Sequence, residues 1–277
     1  MINQSLLKKL KQVKHVALDM DGTIYRGNTL FPYTRPFLMR LKEMDVGYSF
    51  LTNNPSKSAA DYLKNLEKMG LPATAENLYT TVQATINWLK TNMPAANRLF
   101  LLGTPSMIEE FEQAGIVSTA DDPADEPDAV VVAFDMTLTY ARLCRAAWWI
   151  KCGKLYLATN PDKVCPTDQP IVLVDCGSIC AMLEKATDRK PDITFGKPQP
   201  EMLEGILMKH KLLPHEVAMV GDRIYTDMKM AHEAGALGIL VLSGEASLED
   251  AQKANPQPDI ILPSIEHLGE LLIEAKR

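Results

Sequence analysis

Near its N-terminus the chain contains the stretch Val16-Ala17-Leu18-Asp19-Met20-Asp21-Gly22-Thr23. Its beginning predicts a strand over Val16–Met20, because an apolar run without alternation is typical of a strand that is buried on both faces. Residues two apart on a strand point to the same side, so Asp19 and Asp21 can face one site. Gly22 then allows the chain to turn away sharply. We therefore expect two carboxylates at the carboxyl end of a buried strand.

Further apolar runs predict more strands, and stretches with helical periodicity separate them. The predicted strands of this first group are Val16–Met20, Tyr48–Thr52, Val217–Val220, Gly238–Leu242 and Ile260–Leu262, and the predicted helices are Thr34–Glu43, Ser56–Met69, Pro200–Lys211, Thr226–Ala234 and Ser264–Ala275. Strands that alternate with helices indicate an α/β fold with a doubly wound parallel sheet covered on both faces. Ligand sites in such sheets lie beyond the carboxyl ends of the strands.

The middle of the chain repeats this pattern on a smaller scale. Its predicted strands are Arg98–Leu102, Ala129–Ala133 and Leu155–Ala158, and its predicted helices are Pro105–Ala114 and Tyr140–Lys151. We therefore predict a second, smaller α/β domain inserted between two halves of the first. The predicted boundaries are 1–80 and 180–277 for the two parts of the core domain and 81–179 for the insert.

Composition excludes several classes of function. The chain has 277 residues and a formal net charge of −6, and this acidic balance argues against a nucleic-acid partner. No apolar run is long enough to span a bilayer, so no membrane partner is expected. The five cysteines form no Cys-x-x-Cys pair, which is typical of free thiols in a reducing cytosol and predicts a cytoplasmic location.

The pair Asp19 and Asp21 suits three kinds of chemistry: binding magnesium, attacking phosphorus and moving a proton. Taken alone, the same residues could be turn or helix-capping aspartates, or part of a calcium loop. No further acids follow at the spacing of a calcium loop, which disfavours the last alternative. The choice between the others depends on the rest of the chain.

Three further segments place polar groups at predicted strand ends. Thr52-Asn53 follows an apolar run and precedes a helix, where a hydroxyl and backbone N–H groups favour phosphate, although an ordinary helix cap is the alternative. Lys197 ends the strand-like run Ile193–Phe195. Asp222 and Asp227 follow the strand Val217–Val220 and could cap the next helix, with Thr226 as its N-cap, but additional strand-end acids are better explained by a hard cation.

These four signatures, in this order, resemble the haloacid dehalogenase (HAD) superfamily. They are Asp19-Met20-Asp21-Gly22-Thr23, Thr52-Asn53, Lys197 and Gly221-Asp222 with Asp227. The sequences Ala158-Thr159-Asn160-Pro161-Asp162 and Phe195-Gly196-Lys197-Pro198 are similar to the NagD and p-nitrophenyl phosphatase branch. The resemblance implies a Rossmann-like core with an inserted α/β cap of the larger, C2 type.

The resemblance also implies a role for each signature residue. Asp19 would be the nucleophile that forms an aspartyl-phosphate, and Asp21 the general acid and then base, which requires a raised pKa. Thr52, the Asn53 backbone N–H and Lys197 would bind the phosphoryl oxygens. Mg²⁺ would be bound by Asp19, the backbone carbonyl of Asp21 and Asp222, with Asp227 orienting a water or Lys197.

The implied activity is a magnesium-dependent phosphatase of small phosphorylated metabolites such as sugar phosphates or nucleotides, with p-nitrophenyl phosphate as an artificial substrate. Asp21 disfavours dehalogenation, because relatives with that activity lack it. A non-catalytic phosphate-binding module and phosphotransfer to an acceptor other than water stay open as alternatives. The loop Asn160–Pro166 is expected to help select the substrate, and the resemblance leaves open a homodimer through the cap.

Overall fold

The computed structural model describes residues 4–27, 29–53, 59–71, 73–165 and 170–277. Its contacts divide the chain into two compact units. The core unit comprises Met1–Leu51, Asn65–Tyr79 and Lys197–Arg277, and the second unit comprises Thr52–Lys64 and Thr80–Gly196.

The strands are β1 (His15–Asp19), β2 (Tyr25–Arg26), β3 (Thr29–Leu30), β4 (Gly47–Thr52), β5 (Leu78–Thr80), β6 (Arg98–Leu102), β7 (Val117–Ser118), β8 (Ala129–Val132), β9 (Leu155–Ala158), β10 (Val164–Cys165), β11 (Leu173–Val174), β12 (Ile193–Thr194), β13 (Val217–Gly221), β14 (Leu237–Val241) and β15 (Ile260–Leu262). The helices are α1 (Gln4–Gln12), α2 (Thr34–Glu43), α3 (Ala59–Lys68), α4 (Thr81–Asn92), α5 (Pro105–Gln113), α6 (Tyr140–Lys151), α7 (Cys176–Thr187), α8 (Glu201–His210), α9 (Lys229–Glu233), α10 (Leu248–Lys253) and α11 (Ile265–Lys276).

The core unit is built on a sheet with strand order β15-β14-β13-β1-β4-β5. Strand β1 runs parallel to both β13 and β4, and Ala17 lies beside Met219 on one side and Ser49 on the other. Because the chain extends the sheet first in one direction and later in the other, the sheet is doubly wound and its order reverses next to β1. The fold is the α/β fold that the sequence predicts, with fully buried residues throughout β13 and β14.

The second unit has its own parallel sheet, with strand order β12-β9-β8-β6-β7. Helices α6 and α7 cover one apolar cluster of this sheet, which includes Phe100, Val132, Trp149 and Tyr156. These side chains are each at most 4% exposed, so the unit has an apolar core of its own.

The predicted boundary of the insert at residue 179 differs from the compact unit, which extends to Gly196. Helix α7 belongs to the second unit because Ile179 and Leu183 are buried in the same cluster as Tyr156. Strand β12 belongs there because it pairs with β9. The predicted boundary at residue 179 falls within α7, whereas the whole of this helix lies in the second unit.

Each predicted strand of the core sheet is present, with ends shifted by at most one residue. The beginning of the helix predicted over Ser56–Met69 lies outside the described residues, and α3 is described from Ala59. The hairpin β2–β3, strand β5 and helices α4 and α7 are present without having been predicted. Among the described residues, no helix has the length and apolar character needed to cross a membrane.

The prediction of Thr226 as a helix N-cap was wrong. Thr226 lies inside a single π-helical turn over Ile224–Met228, from which α9 continues. The turn begins earlier because the carbonyl of Arg223 accepts hydrogen bonds from the backbone N–H groups of Asp227 (3.1 Å) and Met228 (3.3 Å). The Thr226 hydroxyl is buried and has no hydrogen-bond partner among the described residues.

Candidate active site

Two acids leave the core sheet side by side. Strand β1 ends at Asp19, strand β13 ends at Gly221, and Asp222 follows directly. Leu18 and Val220 are paired in the parallel register, so the residues after them leave neighbouring strands at the same edge. This is the point at which the strand order reverses, where α/β sheets characteristically bind ligands.

Lys197 joins this edge from the turn before α8. Its ammonium group forms an ion pair with the carboxylate of Asp19 and a second one, at 2.8 Å, with Oδ1 of Asp227. Lys197 is only 4% exposed. Burial by itself would lower its pKa, but Asp19 and Asp227 raise it and the net shift is upward. The lysine is therefore held as a buried cation by two carboxylates.

Asp19, Asp222 and Asp227 form a cluster in which carboxylate oxygens lie within 4.8 Å of one another. Oδ2 of Asp222 accepts a hydrogen bond of 2.7 Å from the Glu245 N–H, whereas its buried Oδ1 has no partner among the described residues. Burial, and next the charge of Asp19 and Asp227, raise the pKa of Asp222 to about 7. Three acids beside one lysine, with one oxygen left unpaired, fit a hard divalent cation such as Mg²⁺.

Glycines allow the backbone to approach these carboxylates. Gly22 has a φ of +84°, and a Cβ atom there would overlap the carboxylate of Asp222. A Cβ at Gly244 would overlap the same carboxylate, and one at Gly221 would overlap that of Asp227. Glycine is therefore required at all three positions by the space that the acids occupy.

Asp21 lies on the accessible side of the turn after β1. Thr23 and Ile24 donate backbone hydrogen bonds to the carbonyl of Met20, at 3.2 and 2.9 Å, which closes this turn. Partial burial is the largest cause of a raised pKa for Asp21, and the charge of Asp19 adds to it, while the Gly27 N–H opposes it. The pKa of Asp21 is thus shifted in the direction that a general acid requires, and burial contributes more to the shift than the neighbouring anion does.

Thr52 is the last residue of the neighbouring strand β4, and Asn53 follows it. Leu51, the residue before Thr52, is the register partner of Asp19. Thr52 and Asn53 belong to the second unit, where Oγ1 of Thr52 lies 3.3 Å from the Tyr62 hydroxyl. The side chain of Asn53 donates to the carboxylate of Asp162, also in the second unit. Their predicted role in phosphate binding stays a prediction.

The chain matches a family model described as haloacid dehalogenase-like hydrolase over residues 16–117 and a second, HAD-hydrolase-like model over residues 194–268. It is 30% identical over 256 residues to the ribonucleotide monophosphatase NagD of Escherichia coli K12, covering 92% of this chain and 98% of NagD.

The chain belongs to the haloacid dehalogenase-like hydrolases.

Solved structures extend this assignment to the NagD-like branch of the superfamily. The crystal structure of a 4-nitrophenylphosphatase from Thermotoga maritima has a TM-score of 0.89 and 39% identity, with 95% of this chain and 98% of that one covered. A glycerol phosphate phosphatase from Mycobacterium tuberculosis in complex with magnesium has a TM-score of 0.85 and 30% identity, with 96% and 80% covered. The chain is thus a phosphatase of the HAD superfamily.

Within this HAD phosphatase, sequence reasoning missed the loop that follows β14. The Ser243 hydroxyl donates to the Gly22 carbonyl at 2.7 Å, and Glu245 forms an ion pair of 3.0 Å with Arg223 in addition to its backbone hydrogen bond to Asp222. A signal was present, because Ser243-Gly244-Glu245 follows an apolar strand with glycine beside polar residues, as Asp21-Gly22-Thr23 does.

Proposed function

We propose that this chain is a Mg²⁺-dependent phosphatase of small phosphorylated metabolites and that it works through an aspartyl-phosphate on Asp19. The observation that carries the proposal is the contact of Asp19 with buried Lys197 inside a cluster of three carboxylates at the carboxyl edge of the sheet. A lone carboxylate would repel a phosphate dianion, so a phosphatase with an aspartate nucleophile needs positive charge beside that nucleophile.

Lys197 supplies positive charge directly beside the proposed nucleophile. Its raised pKa keeps it protonated at neutral pH, and Asp227 forms an ion pair of 2.8 Å with its ammonium group. Lys197 would bind a phosphoryl oxygen as Asp19 attacks the phosphorus atom. Thr52 and the backbone N–H of Asn53 would bind the other oxygens, and their place directly after Leu51, the register partner of Asp19, supports this.

Asp21 would protonate the leaving oxygen and later remove a proton from the attacking water. The first step needs a protonated carboxyl group and therefore a raised pKa, and the second needs access to water. The exposure of Asp21 and the upward direction of its pKa support this role. The proton balance closes, because the proton that Asp21 gives to the leaving group is replaced by the one that it takes from water.

Asp19, the backbone carbonyl of Asp21 and Asp222 would hold Mg²⁺. Oδ1 of Asp222, for which the described residues provide no hydrogen-bond partner, and the closeness of the three carboxylates support a cation here. When bound, Mg²⁺ supplies the charge that lets Asp19 and the substrate phosphate approach each other. Asp227 contacts Lys197, so we assign it to the position of the lysine rather than to the metal.

The substrate class rests on the relatives. Their names refer to ribonucleotide monophosphates, 4-nitrophenyl phosphate and glycerol phosphate, which are all small phosphomonoesters. We infer the same class here, with water as the acceptor and the second unit as the cap that selects the leaving group. The loop Asn160–Pro166 is predicted to take part in this selection, and the structure describes it as far as Cys165. The cytoplasmic location and the absence of nucleic-acid and membrane partners stay predictions.

The decisive experiment measures phosphate release from p-nitrophenyl phosphate with and without Mg²⁺. The unmodified chain should be active only with the metal, and Asp19→Asn should lower kcat by at least about 10³-fold because the nucleophile is lost. Asp259→Asn, which removes a carboxylate that is paired with Lys9 instead, serves as the matched control. Equal activity of Asp19→Asn and the unmodified chain would refute the assignment of the nucleophile.

The variant Asp21→Asn distinguishes the role of Asp21 from that of Asp19. We expect kcat to fall by about 10²- to 10⁴-fold while Mg²⁺ and inorganic phosphate still bind, because general acid–base catalysis is lost and the backbone carbonyl is kept. Calorimetry with phosphate measures the binding. Unchanged turnover in this variant would exclude Asp21 as the acid and base.

A further inference from the structure

The loop Asn160–Cys165 of the second unit is anchored to the first turn of α7. The Gly177 N–H donates to the carbonyl of Asp162 at 2.8 Å, and the Asp175 N–H donates to the carbonyl of Lys163 at 3.0 Å. A Cβ atom at Gly177 would overlap the Pro161 and Asp162 carbonyl groups, so the loop backbone lies directly against the helix. The position of Asp162 is therefore set by α7.

The side chain of Asp162 is directed at Asn53. Nδ2 of Asn53 donates to both carboxylate oxygens of Asp162, at 3.2 and 3.4 Å. The backbone carbonyl of Asn53 accepts a hydrogen bond of 3.4 Å from Oγ1 of Thr81, at the start of α4. Asn53 is thus held at its side chain by the loop and at its backbone by a helix.

Gly196 connects this arrangement to the lysine of the proposed reaction. It has a φ of +86°, and a Cβ atom there would lie 3.0 Å from Oδ1 of Asn53 and 3.2 Å from Asn160. The backbone of Gly196 therefore packs closely on the two asparagines. Lys197 is the next residue in the chain.

We propose that Asp162 is a positioning residue for phosphate binding, which acts by fixing Asn53 between the loop Asn160–Cys165 and Gly196. The inference rests on the proposed function, since it concerns how the Thr52–Asn53 segment meets the phosphoryl group. A carboxylate is suited to this task because both of its oxygens accept from one amide group, so Asn53 keeps its orientation. A loop expected to contact the leaving group is in this way linked to the residues that bind phosphate.

The test uses the whole chain with saturating Mg²⁺ and four variants: Asp162→Ala, Asp162→Asn, Asn53→Ala and the double variant Asn53→Ala/Asp162→Ala. For Asp162→Ala we expect the KM for p-nitrophenyl phosphate and the calorimetric Kd for inorganic phosphate to rise about tenfold, while kcat changes less than about threefold, because uniform binding is lost. The half-saturating Mg²⁺ concentration should stay unchanged, since the carboxylate cluster is untouched.

Asp162→Asn should restore the Kd for phosphate to within about threefold, because the amide oxygen still accepts from Asn53. The Kd for phosphate of the double variant should be no higher than that of the single variant with the higher Kd, because the two residues act through one contact. Glu112→Ala removes an exposed carboxylate of α5 and is the matched control.

Two results would overturn the inference: an Asp162→Ala variant with the KM and Kd of the control, or additive effects of Asn53→Ala and Asp162→Ala. Failure of the proposed function is recognised separately, as absence of Mg²⁺-dependent turnover in the unmodified chain. The Kd for phosphate can be measured even in a variant that does not turn over substrate. The inference is therefore decided whether or not the proposed function holds.

Discussion

Strand β1 carries buried polar groups at both of its ends, and the two ends differ in charge. At the carboxyl end, Asp19 meets Lys197 and two further acids. At the amino end, Nε2 of His15 and Oγ of Ser49 lie 2.9 Å apart in a hydrogen bond, and the rings of His15 and His210 are 4.3 Å apart. One end concentrates acids around a lysine, whereas at the other the histidine pairs with a hydroxyl group.

Burial acts on both ends in the same way, by disfavouring the charged form. It raises the pKa of Asp222 to about 7 and that of Asp227 to about 6, from 3.8. It lowers the pKa of His15 from 6.5 to about 3, with the positive charge of His210 and Lys209 adding to the effect. Acids that are kept close together despite this cost indicate function, whereas a neutral histidine is explained by packing.

The two ends therefore give opposite dependences of stability on pH. Folded Asp222 and Asp227 bind protons that the unfolded chain has already released, so this end loses stability as the pH rises from 3.8 towards 7. Unfolded His15 binds a proton that the folded state does not, so that end loses stability as the pH falls from 6.5 towards 3.

The largest effect should follow the loss of the lysine. Lys197→Met leaves three acids without their buried cation, so we expect the free energy of unfolding in Mg²⁺-free buffer at neutral pH to fall by about 3 kcal/mol. We also expect kcat/KM for p-nitrophenyl phosphate to fall by about 10²- to 10³-fold. Denaturant titration and steady-state kinetics measure these, with Lys229→Met, on the half-exposed face of α9, as control. A variant as stable and active as the control would show that the carboxyl end does not depend on this charge.

The next effect concerns the metal. Mg²⁺ at about 100 times its Kd should stabilise the chain by up to about 3 kcal/mol at neutral pH, because it binds the folded cluster and not the unfolded chain. Asp222→Asn should remove most of this increment and, in Mg²⁺-free buffer, should be more stable than the unmodified chain because one buried acid is gone. Thermal unfolding with Mg²⁺ and with EDTA measures both, with Glu266→Gln as control. An undiminished Mg²⁺ increment in Asp222→Asn would exclude it as a ligand.

The smallest effect is expected at the amino end. Between pH 7.5 and pH 5 the unmodified chain should lose about 1–2 kcal/mol of stability through His15, and His15→Gln should lose less over the same interval because glutamine does not titrate. Urea titrations at each pH measure the difference, and His267→Gln is the control from α11. Parallel pH profiles for the His15→Gln variant and the unmodified chain would mean that another group controls acid stability.

The motifs predicted much of the candidate site because strand ends and glycines are visible in sequence. Asp19, Lys197 and Asp222 were all expected, and the structure brings them to one edge of one sheet. Asp227 was expected to orient either a water molecule or Lys197, and its ion pair with Lys197 agrees with the second of these. The loop Ser243–Glu245 was missed because nothing local shows that it lies against Gly22, more than two hundred residues earlier.

Local signals failed where packing overrides them. Thr226 has the residue type of an N-cap, but hydrogen bonds to the Arg223 carbonyl draw it into a π-helical turn. The predicted boundary of the insert at residue 179 lies within α7, whereas burial against the second sheet assigns the whole helix to that unit. For α7 the deciding contacts are made with residues far away in the chain, such as Tyr156 and Phe100.

The sequence by itself determined the class of fold, the strand order along the chain and the identity of the acids after β1 and β13, because hydrophobic periodicity and strand-end glycines are local properties. Only the tertiary structure decided which oxygen of Asp222 lacks a partner among the described residues, which carboxylates form ion pairs with Lys197, and that Asp162 accepts hydrogen bonds from Asn53. Those features depend on distances and burial between segments far apart in the chain, and burial also sets the direction of each pKa shift.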